Sequence, residues 1–201
     1  MSDQQKQPFV YQVFGATLGA VVMFFLEAFQ IIVIAAAIII PVRYFLVQPF
    51  IVKGASMEPN FYENDYLIVD ELSYRLGEVR RGDVVVFRPP TGIEDHYIKR
   101  VIGLPGETIE IKDGRITIFN STYPNGTPLE EEYLSDFTSG HQRVTLSLNE
   151  YFVLGDNRDE SLDSRKFGPV NEDLIVGRVW IRGLPLDSLG VIDLPIYSYV
   201  E

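Results

Sequence analysis

No cysteine occurs anywhere in the chain. Disulfides and thiolate metal sites are therefore impossible, and cysteine usage leaves the redox compartment open. Histidine is almost as scarce, with His96 and His141 the only imidazoles. No cluster of other ligands accompanies either one, so neither a metal nor a cofactor is expected. Positive charge is also in short supply. Seventeen Lys and Arg stand against 28 Asp and Glu, a formal net charge of −11. A nucleic-acid partner is not expected of such a chain, because phosphate binding calls for a basic surface. Beyond residue 50 no long amphipathic helix and no internal repeat can be read.

What the chain does have is apolar length near its start. Residues 28–47, AFQIIVIAAAIIIPVRYFLV, contain a single charge, Arg43. Twenty such residues in a helix span about 30 Å, the thickness of a bilayer's hydrocarbon core. Residues 9–26 lack charge as well, with only Glu27 between the two runs. One helix through both would reach about 58 Å, too long for one upright span. Two spans would need a turn, and no turn signal surrounds Glu27. The expectation is an N-terminal segment at 1–27, interfacial or extending the helix, and a single membrane span at 28–47. A cleavable leader is not expected, since the apolar stretch is too long and no A-x-A site follows it.

Residues 48–201 read differently. Short β-branched runs at 66–70, 84–87, 97–102, 108–111, 151–154 and 174–181 alternate with turn residues. Asp113-Gly114 between two Ile-Xaa-Ile runs signals a hairpin. The fold class is therefore mainly β, an antiparallel sheet or barrel-like domain behind an N-terminal transmembrane helix. The stretch around 113–149, richest in polar and turn residues at 120–141, reads as a surface excursion.

Two residues stand out within this pattern. Ser56 sits in a small-residue bend, FIVKGASMEPNF, with no histidine at an informative spacing. A serine hydroxyl needs a base to become a nucleophile. Lys99 lies in an otherwise apolar strand within HYIKRVIGLPGE. Side chains alternate along a strand, so if Arg100 faces solvent, Lys99 faces inward. A buried lysine loses solvation, and its neutral amine becomes available as a general base. A third stretch, GDNRDESLDSRKFGPV at 155–170, carries both charge signs on a path fixed by glycine and proline. Networks of this kind hold catalytic groups in place.

Taken together, GASMEPNF, RGDVVVF, YIKRVIGLPGE and GDNRDESLDSRKFGPV resemble the boxes of bacterial type I signal peptidases, in the same order, over roughly residues 28–182. The resemblance implies a membrane-bound serine endopeptidase that removes signal peptides from exported pre-proteins after small residues. It implies Ser56 as nucleophile and Lys99 as general base. By the same likeness Ser161 orients the lysine amine, and Asp163 and Arg165 brace the site. Asp156 and Arg158 match structural polar positions. Phe50, Val52, Met57, Phe61, Tyr97 and Ile98 match the walls of two shallow substrate pockets. The implied setting is the cytoplasmic membrane, single-pass, with the catalytic domain outside; the partners are signal peptides and the lipid bilayer, and the chain acts as a monomer. Many members carry a serine two places before the nucleophile as an oxyanion donor, where this chain has Gly54. Position 99 is lysine rather than the histidine of the eukaryotic and archaeal branch. Two other readings compete with this one. A repressor-type Ser-Lys autoprotease would carry a DNA-binding domain in place of the apolar segment. An inactive tethered β module would have no need of Ser56 and Lys99 together.

Overall fold

The computed structural model describes residues 9–45, 47–72, 77–92, 94–134, 137–195 and 197. Residues 1–8 of the expected N-terminal segment lie outside them. The chain divides into a helical unit and a β unit, meeting in sequence after Phe45.

The helical unit is one unbroken helix, α1, Phe9–Phe45. Glu27 does not interrupt it, because a straight-chain residue is a good helix former. The stretch long and apolar enough to cross a membrane is Thr17–Ile40, 24 residues or about 36 Å of helix. It overlaps the span expected at 28–47 over residues 28–40, and Val47 begins a strand. Phe24, Phe25, Phe29, Ile31 and Ile32 are all exposed, so the helix is apolar around its circumference, as a lipid-facing helix is.

Among the described residues the β unit contains twelve strands and a short α-helix: β1 Val47–Ile51, β2 Tyr66–Asp70, β3 Val84–Phe87, β4 Tyr97–Gly103, β5 Thr108–Lys112, β6 Arg115–Phe119, β7 Thr127–Pro128, β8 Gln142–Thr145, β9 Glu150–Leu154, α2 Ser164–Phe167, β10 Val170–Asn171, β11 Ile175–Leu184 and β12 Gly190–Val191. The large sheet runs β1-β2-β11-β3-β4-β9-β10, with β12 added on β11. A smaller sheet runs β7-β6-β5-β8. Every pairing is antiparallel, which bears out the expected fold class. The Val84–Phe87 run is buried on both faces. Val84 and Val86 pack with Met57, Phe61 and Leu67, while Val85 and Phe87 pack with Val101 and Val153. A continuous apolar run is the mark of such a strand.

The stretch read as a surface excursion is more than that. Asp113 (φ 50) and Gly114 (φ 78) form the expected two-residue turn between β5 and β6. β6, β7 and β8 then complete the small sheet, whose Ile109, Ile111, Ile116 and Ile118 share a core with Ile102, Phe152 and Leu154 of the large one. Gly103 permits this approach, because a Cβ there would stand 2.7 Å from the Ile109 side chain. Burying each such side chain contributes about 1.5–3 kcal/mol, so the small sheet is anchored to the strands that carry the site.

Candidate active site

Ser56 is held at the apex of a tight bend. The pairing of β1 ends where Val52 N–H donates to Asp65 O (3.0 Å) and Asn64 N–H to Val52 O (2.9 Å). Gly54 follows with φ +77°, a left-handed conformation that suits glycine. The chain then turns through Glu58 N–H to Ala55 O and Phe61 N–H to Met57 O. Met57 and Phe61 plug the core beneath the bend and are 0% and 2% exposed. From the opposite side, Asn157 clamps the bend. Its backbone N–H donates to Ser56 O (3.1 Å) and its Nδ2 to Ala55 O (3.2 Å).

Lys99 reaches the bend from β4. Its Nζ donates to Ser56 Oγ at 2.8 Å and to Ile98 O at 2.7 Å. The residue is 4% exposed. Burial lowers its pKa to about 8, although the nearby Asp163 and Asp156 carboxylates pull it upward. A hydroxyl in contact with a partly neutral amine is a nucleophile–base pair in reach of one another. Arg100 is buried too, so the inward Lys99 does not depend on a solvent-facing Arg100. It clasps Asp156 with Nε to Oδ1 at 2.8 Å and Nη2 to Oδ2 at 2.6 Å. Lysine and arginine are both accommodated because each meets its own acceptors, as buried charges require.

The 155–170 stretch forms the scaffold behind the pair. Asp163 is completely buried, accepts from Gly155 N–H (3.1 Å), caps α2 and receives Arg165 Nε and Nη2 at 2.9 and 2.8 Å. Burial pushes its pKa up, but the bonds and charge of Arg165 outweigh this and hold the carboxyl below its usual value. Arg158, also buried, pairs with Glu131 and donates to Thr138 and to Gly155 O. Ser161 departs from expectation. Its Oγ helps keep the neighbouring Asp163 ionised, yet has no hydrogen-bond partner of good geometry among the described residues, and Lys99 Nζ is bonded elsewhere. Gly155 leaves room for this packing. Any side chain there would collide with Ser161 Oγ and the Ser56 carbonyl oxygen.

A cleft of about 460 Å³ opens over Ser56 and Lys99. Phe50, Val52, Tyr97 and Ile98 line it as expected. Met57 and Phe61 do not; they lie under its floor, because the bend turns them into the core. Leu67, Val86 and Leu162 take part instead. The first two are strand neighbours of expected wall residues, in the registers Phe50↔Leu67 and Val86↔Ile98. Only a knowledge of which strands pair could have exposed them, whereas Asn157 lay in the quoted polar run without a role.

Residues 25–183, well over half of the chain, match the family model described as signal peptidase, peptidase S26. The chain belongs to this family. It is accordingly a serine peptidase of the signal peptidase I type. It is 36% identical to a signal peptidase I of Leptolyngbya laminosa over 180 residues, 85% of each chain. It is 38% identical to signal peptidase I T of Bacillus subtilis, over 76% of this chain and 82% of that one. Signal peptidase IB of Staphylococcus aureus is 35% identical over 78% and 88%. A solved signal peptidase I from Enterococcus faecalis is 32% identical, with a TM-score of 0.44 over 51% of this chain and 97% of that one.

Proposed function

We propose that this peptidase removes signal peptides from exported pre-proteins with a Ser56–Lys99 dyad, cutting after small residues. The observation that carries the reading is the 2.8 Å contact of Lys99 Nζ with Ser56 Oγ at the base of an apolar cleft. Neutral Lys99 takes the Ser56 proton as Oγ attacks the scissile carbonyl. The Ser56 backbone N–H stabilises the oxyanion. Lys99 then returns the proton to the leaving amine and activates the water that releases the acyl-enzyme. Asp156, Arg158, Asp163 and Arg165 hold the two strands and the bend in register, and Ser161 packs against Gly155 beside the Ser56 bend. Helix α1 anchors the enzyme as a single-pass monomer in the cytoplasmic membrane, with the β unit on the outer side.

The cleft walls Val52, Val86, Tyr97 and Ile98 leave room for a small side chain. Replacing alanine by phenylalanine just before the cut should lower kcat/KM at least tenfold, about 1.4 kcal/mol of transition-state stabilisation. Kinetics on paired pre-protein substrates test this, and equal rates would overturn the assigned pocket.

The base must be neutral, so the sign of the pH dependence is fixed. With Lys99 at about 8, kcat/KM should climb nearly tenfold per pH unit below that value and level off above it. Lys99→Arg keeps the charge but cannot supply a neutral base, so it should be inactive at every pH. A rate that grows as pH drops below 6 would contradict the amine-base mechanism.

Gly54 bears on the oxyanion. With φ +77° and nothing within 4 Å of an added Cβ, a serine there would adopt a strained backbone costing about 1–2 kcal/mol. Gly54→Ser should therefore reduce kcat, and a measured increase would show that the hydroxyl reaches the oxyanion after all.

A further inference from the structure

Residues past the matched 25–183 stretch fold back toward the site. β12 pairs with β11, and Ile192 N–H donates to Trp180 O at 2.8 Å. The chain then crosses Gly82, where a Cβ would meet Pro195 and Tyr197 at 2.9 Å. The carbonyl of this same Gly82 accepts from Arg100 Nη1 at 3.0 Å. Tyr197 also touches the Arg100 clamp from a second side. Its hydroxyl donates to Tyr133 Oη at 3.2 Å, with the two rings edge-on at 6.2 Å. The Tyr133 ring in turn lies 4.4 Å beneath the Arg100 guanidinium. Arg100 follows Lys99 on β4, and its partner Asp156 precedes Asn157, which holds the Ser56 bend. Asp156 Oδ2 also accepts from Asn60 Nδ2 at 3.0 Å, below the same bend.

We propose that Tyr197 is a positioning residue for the dyad: it straps the Arg100–Asp156 clamp that ties the strand of Lys99 to the loop gripping Ser56. This rests on the Ser56–Lys99 reading above. Tyr197 packs against the core shared by the two sheets. It also meets two separate groups that fix one guanidinium, the glycine carbonyl strand and the tyrosine platform, which core packing alone does not call for. Positioning shells of this kind set whether a catalytic pair holds its working geometry, and a small displacement is expensive in rate.

The test uses the full chain in detergent with a pre-protein substrate. Tyr197→Phe removes the hydroxyl and leaves the ring on Gly82; Tyr197→Ala removes both. The expected result is a graded loss in kcat, about twofold and about tenfold, with KM unchanged. The acid limb of the pH profile should also move to higher pH in both variants. A loosened Arg100 leaves Asp156 less neutralised, and Asp156, like Asp163, favours the charged form of Lys99. Wild-type kcat and an unmoved limb in Tyr197→Phe would overturn the proposal. So would a loss in Tyr197→Ala that leaves the limb in place, since that marks a role in stability only. Ser56→Ala in the same assay separates the two readings: cleavage by that variant sinks the dyad itself, whatever the tyrosine variants do.

Discussion

Ser56→Ala and Lys99→Ala are each expected to reduce kcat by about 10⁴-fold or more, and the double variant should be scarcely worse than either single one. The reason lies in their contact. Lys99 Nζ and Ser56 Oγ are 2.8 Å apart, so removing the base leaves an unactivated hydroxyl, and removing the hydroxyl leaves an amine with nothing to activate. Neither histidine is in contact with Ser56 Oγ or Lys99 Nζ to substitute. His96 lies along the cleft and stacks edgewise on Phe50 at 5.3 Å, and His141 faces Asp113 on the small sheet. Single-turnover kinetics on the three variants provide the check. Losses that multiply in the double variant would mean that the two residues act separately.

Asp156→Ala is expected to be the most damaging change to stability. Arg100 is 4% exposed and Asp156 3%. Removing the carboxylate strands a guanidinium away from water, and breaking a buried pair in this way costs about 3–5 kcal/mol. For a domain of this size that is roughly 6–20 °C in Tm. The Asp156→Leu, Arg100→Met double variant removes both charges and should recover much of the loss, since a buried pair replaced by apolar groups is often close to neutral. Thermal unfolding followed by circular dichroism decides it. A fall under about 2 °C for Asp156→Ala would mean that the pair is open to solvent.

The parts of this fold that could be read beforehand were those with short-range causes. Val84–Phe87 and Tyr66–Asp70 coincide with the expected strands because β-branched runs bounded by turn residues leave few other options. Asp113-Gly114 fixed its hairpin for the same reason. Pairing over longer distances was not legible. Met57 was expected in a pocket wall because its position matches one in the family, but its burial depends on Leu67 and Val86 arriving from other strands. The alternation of Lys99 and Arg100 left only the condition that one faces inward if the other faces solvent, and it says nothing about a sheet covered on both faces. Glu131 and Tyr133, within the supposed excursion, are the partners of Arg158 and Arg100. No local pattern announces a partner on another loop.

The clamp of Asn157 on the Ser56 bend joins residues 102 apart in the case of its bond to Ala55 O. Contacts so distant in sequence form only after the intervening chain has been made and its loop closed. During synthesis Ser56 emerges long before β9 and the loop that follows it. Until that later segment arrives, the serine has neither the carbonyl anchors that shape its bend nor the Asp156 clamp that steadies the strand of its base. A nascent chain that carries Ser56 and Lys99 but not yet Asn157 is therefore expected to lack the bend's clamp, and with it the geometry of the proposed dyad.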